Sequence, residues 1–142
     1  MCQVVSWIEK SGRVKFLTGE TITSDKFLTW AKKHGVSPDD YVGHGTLRAW
    51  YKMGQDEGID HECNDFSTPS NFPDKVIKAI MSGEMRGLPM TAFAIKQMLS
   101  PKAWAEYNKV KQPAWAEYNK VKQQAFWDLF LANEKNRNPK WR

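Results

Sequence analysis

The sequence predicts an α+β, mostly helical fold: a small N-terminal β-hairpin or sheet packed by helices, then a long repeat helix. Three observations carry this. Apolar and polar residues alternate at the start of the chain, capped amphipathic stretches follow, and an eleven-residue unit occurs twice in tandem near the end. Alternation fits a half-buried strand, and apolar residues three and four apart fit a helix. The expected organisation is a globular α+β domain over 1–99 and a helical extension with a basic tail over 100–142.

Residues 3–9 (QVVSWIE) and 13–18 (RVKFLT) alternate and are rich in β-branched and aromatic types. Gly12, within Lys10-Ser11-Gly12, supplies the positive φ of a tight hairpin turn. Ser24 then reads as an N-cap for a helix with Phe27, Leu28, Trp30 and Ala31 on its buried side. Gly35 ends it, and Lys32, Lys33 and His34 suit its negative C-terminal end. Residues 37–40 (SPDD) form a turn or a new helix start, and Leu47 to Tyr51 are short and helical. Residues 54–60 read as loop and 61–66 as a short strand at a sheet edge. Pro73 and Asp74 open a helix through Val76, Ile77, Ile80 and Met81 that stops at Gly83. Thr91 starts another with Phe93, Ile95, Met98 and Leu99, which Ser100-Pro101 ends or bends.

Residues 103–112 and 114–123 are both AWAEYNKVKQ, separated by Pro113. Eleven residues make about three helical turns, so each copy returns to nearly the same face. Trp104, Tyr107, Val110, Trp115, Tyr118, Val121, Phe126 and Leu129 form an aromatic and apolar stripe. Glu106, Lys109, Glu117 and Lys120 lie opposite. A proline in mid-helix costs about 3 kcal/mol. Pro113 is therefore expected to kink the helix around the domain, with a break into two antiparallel helices as the alternative. Two identical copies suit a packing, spacer or assembly surface better than position-by-position readout of a partner. Trp104, Tyr107, Trp115 and Tyr118 are the candidate interaction surface, and the sequence leaves monomer and homo-oligomer equally open.

Composition bounds the rest. With 142 residues, 41% hydrophobic, and seven Trp, the chain is long and apolar enough for a core. No run approaches the ~18 apolar residues of a membrane helix. No signal peptide is visible, and Cys2 and Cys63 are too few for a disulfide framework. A cytoplasmic protein is expected, without a membrane partner, cofactor or metal. The net charge is +5, but through Phe72 there are 8 Lys and Arg against 10 Asp and Glu, and from Pro73 there are 13 against 6. An anionic partner would therefore be sought in the second half.

Gly43-His44-Gly45-Thr46 is the most site-like segment. Two glycines allow close backbone approach, and Arg48 lies one turn on to hold a phosphate or carboxylate. His44 could act as acid or base there. The P-loop lysine and spacing are absent, and a glycine turn with a hydrogen-bonded histidine explains the same residues. Asp56, Glu57, Asp60, His61, Glu62, Cys63 and Asp65 form an acidic cluster without the regular spacing of a metal site, and a solvated loop is the simpler reading. Cys2 lacks the context of an N-terminal nucleophile. No catalytic residues are assigned, and the chain is not expected to be an enzyme. Lys109, Lys111, Lys120, Lys122, Arg137, Lys140 and Arg142 could follow a phosphate backbone while Trp141 stacks on a base. The competing reading is a tail anchored by Trp141.

The hairpin VVSWIEKSGRVKFLTG, the segment YVGHGTLRAWY and the tandem Trp/Tyr/Lys units together resemble a group of small uncharacterised proteins of bacteriophages and prophages. In that group a short domain with a GHG-type turn is followed by varying numbers of repeats. The resemblance implies a phage setting, where small proteins commonly bind and block a host component. The leading expectation is thus a non-enzymatic accessory protein that binds a bacterial host macromolecule, a host protein first of all, and inhibits a host defence or nucleic-acid-handling system. The alternatives are nucleic-acid binding through the basic C-terminal half, and binding or hydrolysis of a small phosphorylated ligand, such as a nucleotide, at the glycine turn.

Overall fold

A computed structural model describes residues 5–109 and 115–142, with side chains for all of these except 115–119. β1 (Val5–Lys10) and β2 (Arg13–Lys15) form the expected hairpin. Ser11 and Gly12 both take positive φ, 52° and 75°, as a two-residue turn matched to the twist of its strands requires. β3 (Ile59–Cys63) pairs antiparallel with the other edge of β1, giving the order β2-β1-β3. The strand starts two residues earlier than the sequence suggests and stops before Asn64. Ile59 and Asp60 belong to it because they pair with Glu9 and Ile8.

A short helix, α1 (Gly19–Ile22), follows the hairpin, and Thr18 Oγ1 caps it by accepting from Thr21 N at 3.1 Å. Four residues are too few for a helical period to show in sequence. α2 (Asp25–Lys33) is capped as expected: Ser24 Oγ accepts from Phe27 N. Its buried residues are Phe27 and Ala31, whereas Leu28 is 40% exposed. The expected buried side was therefore too wide. A 3-10 turn, Pro38–Asp40, leads to α3 (His44–Trp50).

α4 (Asp74–Ser82) ends where Gly83 takes a left-handed φ of 91°, the conformation that glycine adopts without a Cβ penalty. α5 (Ala92–Met98) is capped by Thr91. It buries Ala94, Ile95 and Met98 and leaves Phe93 64% exposed. Ser100 caps a new helix, α6 (Pro101–Asn108), so Ser100-Pro101 is a joint between two helices.

The repeat lies on two helices, α6 and α7 (Trp115–Ala132). Lys122 Nζ donates to the carbonyl of Tyr107 at 2.7 Å. A continuous helix would hold those residues about 22 Å apart, so α7 folds back against α6. The expected single kinked helix is thereby corrected to a helical pair, and Pro113 itself lies outside the described residues.

One core unites the parts. Ile8, Phe27, Val76, Ile80, Ile95 and Met98 from the first hundred residues, and Phe126 and Phe130 from α7, are all 0% exposed and share one cluster. The C-terminal tail completes it. Trp141 packs against Phe66, Phe72 and Phe130, and its indole N–H donates to the Phe66 carbonyl at 2.6 Å. Ser100 N donates to Asn136 O, and Asn138 N to Met98 O, each at 2.8 Å, so the tail straps the α5–α6 joint. Among the described residues no helix is long and apolar enough to cross a membrane.

Candidate functional site

At the glycine turn the polar groups are committed to the fold. His44 Nε2 donates to the His61 carbonyl at 2.8 Å, tying the start of α3 to β3. Thr46 Oγ1 donates to Asp40 O at 2.6 Å. Arg48 is 6% exposed; its Nη1 donates to Gly54 O at 2.5 Å and Glu57 O at 2.6 Å, and its Nη2 to Asp60 Oδ1 at 2.6 Å. Gly43 caps α3 through its backbone alone. Gly43, His44, Gly45, Thr46 and Arg48 are neighbours, as expected, but their geometry is that of a staple holding the 54–60 loop to the sheet. The guanidinium is aimed inward, away from any phosphate arriving from solvent.

The acidic cluster divides in the same manner. Glu57 receives Lys10 Nζ at 2.8 Å, and Asp65 accepts from Ser67 N and Gln97 Nε2. The Lys10 hydrogen bond, with help from Gly54 N–H, holds the Glu57 carboxyl below its usual range, and the bonds from Ser67 do the same for Asp65. His61 stacks on Trp7 at 5.6 Å, and its Nε2 lies 3.7 Å from Glu9. Among the described residues no three His, Cys, Asp or Glu side chains gather as a metal ion would need. Cys63 is half-buried against Asp65, and Cys2 lies outside the described residues.

The C-terminal cations are scattered over different tasks. Arg137 Nε donates to Phe130 O at 2.7 Å, with its guanidinium 4.7 Å from the Phe130 ring centroid. Asn136 Nδ2 donates to Leu129 O at 2.8 Å and Arg142 Nε to Glu134 O at 3.1 Å. Arg137 and Asn136 thus cap the last carbonyls of α7, where cations are favoured by the helix dipole. Lys122 is buried on Tyr107, Lys109 pairs with Glu106 at 3.0 Å, and Lys120 and Lys140 are exposed. Trp141 is 1% exposed, so its faces meet core aromatics and no base can stack there. On the expected interaction surface Tyr107 is buried and Trp104 half-buried, stacked on it at 5.5 Å. Lys111 and the side chains of Trp115 and Tyr118 lie outside the described residues.

One concave feature escaped the sequence reading. A groove of about 910 Å³ runs between α7 and the α1–α2 region, within the size range of ligand and peptide sites. Its floor is the strap 83–90, pinned along α7 in antiparallel order. Leu131 lies against Gly83, Arg86 Nη1 bridges to Asp128 at 2.6 Å, Trp127 Nε1 donates to Leu88 O at 3.3 Å, and Gln123 exchanges two 2.8 Å bonds with Met90. The other side of the strap abuts α1. Glu20 N donates to Glu84 O at 2.9 Å, and a Cβ on Gly19 would collide with the backbone of Met85 and Arg86.

That arrangement gives two unlike walls. Lys120, Gln124, Trp127 and Leu131 line the α7 side over about 16 Å of helix. Glu20, Leu28, Asp39 and Tyr41 line the opposite side. Apolar side chains (Ile22, Leu28, Val42, Pro89, Trp127 and Leu131) share the lining with Arg86, which is bridged to Asp128; one wall carries two carboxylates and the other a lysine. Two sequence signals mark it: Gln123-Gln124 interrupt an apolar stripe, and Gly83 and Gly87 bracket a short strap. Neither identifies a groove until α7 is seen folded back.

The chain matches no protein-family model, no curated protein and no solved structure.

Proposed function

We propose that this chain is a non-enzymatic, phage-type accessory protein that binds a bacterial host protein, seating an amphipathic helix of that partner in the groove. The observation that carries the reading is the groove's run of apolar side chains between walls of opposite charge, with its one floor cation, Arg86, already paired to Asp128. About 16 Å accommodates three turns of helix. A partner helix with two or three apolar side chains on one stripe would fill it in the manner of helix-in-groove recognition. Basic residues on one flank would meet Glu20 and Asp39, and acidic residues on the other would meet Lys120, which fixes the direction of docking. Such charges at the rim set on-rate and register more than affinity. The exposed Leu28 at the lip of the groove supplies an apolar contact that the chain itself leaves open to solvent. The resemblance to phage proteins is what makes a host component the natural source of that helix.

Site-specific crosslinking tests the reading. A photoreactive phenylalanine analogue at position Gln124, inside the groove, should crosslink a bacterial protein, and one at Phe93, an exposed aromatic elsewhere, should not. Equal crosslinking from both positions, or none from Gln124, contradicts it. A thermal shift from metabolite mixtures that is lost in Leu28→Glu would instead mark the groove as a small-molecule site.

A further inference from the structure

Charge is segregated within the N-terminal half. Through Val36 there are six Lys and Arg against three Asp and Glu, and from Ser37 through Phe72 there are two against seven. The sheet displays this division: the β2 edge carries Arg13 and Lys15, and the β3 edge carries Asp60 and Glu62. On the basic side, aromatic rings come to the surface. Trp30 and Trp50 are half-buried and meet edge to face at 5.2 Å, both resting on the fully buried Phe27. His34 stacks on Trp30 at 4.8 Å and is held by its Nδ1–H, which donates to Trp30 O at 2.8 Å. His34 is exposed, so it is the outer ring of this stack.

Lysines border the rings. Lys26 Nζ lies 5.9 Å from the Trp50 ring, and Lys15 Nζ 4.7 Å from that of Tyr51, whose hydroxyl donates to Phe16 O at 3.0 Å. Partial burial raises the Tyr51 phenol, keeping it a donor. Lys52 follows on the same turn and is exposed; the nearest acid along α2 is Asp25 in its first turn.

We propose that this α2–α3 face binds single-stranded nucleic acid, a base stacking on His34 above Trp30 while Lys15, Lys26 and Lys52 meet the backbone. Every base has a π-face, so an aromatic platform bordered by cations takes a strand with little regard to sequence. The platform is anchored to the core through Phe27 and needs no rearrangement. The acidic β3 edge repels a strand from the opposite side, which confines it to this face. The site is distinct from the groove and from the C-terminal cations.

The test is fluorescence anisotropy with a labelled oligothymidylate of about 12 nucleotides at two salt concentrations. The intact protein should bind, with a slope of log affinity against log salt near −2 for three lysine contacts at about −0.7 each. Lys26→Ala and Lys52→Ala should each weaken binding and reduce the slope by about 0.7. His34→Ala should weaken it about tenfold at unchanged slope, and His34→Phe should retain it, because a base gains comparable stacking on any aromatic ring. Lys140→Ala, an exposed cation of the tail, should change nothing. Absence of binding at low salt, tighter binding to duplex than to single strand, or equal loss in Lys140→Ala would overturn the proposal.

Discussion

Lys122 Nζ sits 2.7 Å from the carbonyl of Tyr107 and 4.1 Å from the centroid of its ring. The second copy of the repeat thus closes over the first. A cation 6% exposed on a carbonyl and an aromatic face is a packing element, and its alkyl stem contributes contact as well as its charge. Lys122→Ala should lower unfolding free energy by about 1–3 kcal/mol, measured by urea titration. Lys109→Ala, which removes an exposed i,i+3 pair, should stay within about 0.5 kcal/mol.

The tail behaves as core. Trp141→Ala removes an indole packed on Phe66, Phe72 and Phe130 together with its hydrogen bond to Phe66 O. The expected loss is about 3–5 kcal/mol, visible as a lower urea midpoint. A tail that served only to contact a partner would leave that midpoint unchanged.

Arg48 organises the loop ahead of β3. Arg48→Ala should cost about 1.5–3 kcal/mol through its lost charge-assisted bonds to Gly54 O, Glu57 O and Asp60. Amide exchange should speed up first over residues 54–60. Inorganic phosphate should raise the melting temperature of neither the intact protein nor the variant. A phosphate-dependent rise confined to the intact protein would restore the turn as an anion site.

Acid stability follows from Glu57 and Asp65, both held below the ordinary carboxylate range in the folded chain. A group bound to fewer protons when folded stabilises the fold above its unfolded value and loses that contribution as pH falls through its folded value. Stability should therefore decline below the usual carboxylate range. Glu57→Gln should flatten that decline by being slightly less stable than the intact protein at neutral pH and converging with it in acid. Acid titration followed by tryptophan fluorescence measures both, and parallel acid limbs in the two proteins would contradict the assignment.

The caps and turns were the legible part of this fold. Ser24 and Thr91 cap helices where hydroxyl residues precede apolar periodicity, and Gly83 terminates one by its φ. These are local effects, carried by a few adjacent residues. The reversal between α6 and α7 was legible only as the alternative to a kink, because identical copies offer the same face to a continuous helix and to a folded-back pair. The groove depends on that reversal, so it was missed. The glycine turn was read as site-like for the same residues that make it a staple. Whether Arg48 points outward to an anion or inward to carbonyls is decided by the loop at 54–60, beyond the reach of spacing along α3. Of the two readings of the tail, anchoring by Trp141 is the one the structure shows: its indole is buried, and two tail residues, Asn136 and Arg137, satisfy the orphan carbonyls of α7.

The central claim is that the groove between α7 and α1–α2 holds a helix of a bacterial host protein. Affinity capture from nuclease-treated bacterial lysate tests it most directly, comparing the intact protein with Leu28→Glu in the groove and Phe93→Glu outside it. All three should show the same melting temperature within a few degrees, since both positions are exposed. The account predicts one host protein retained by the intact chain and by Phe93→Glu and lost from Leu28→Glu. Retention by Leu28→Glu, or no capture by the intact chain, would contradict it.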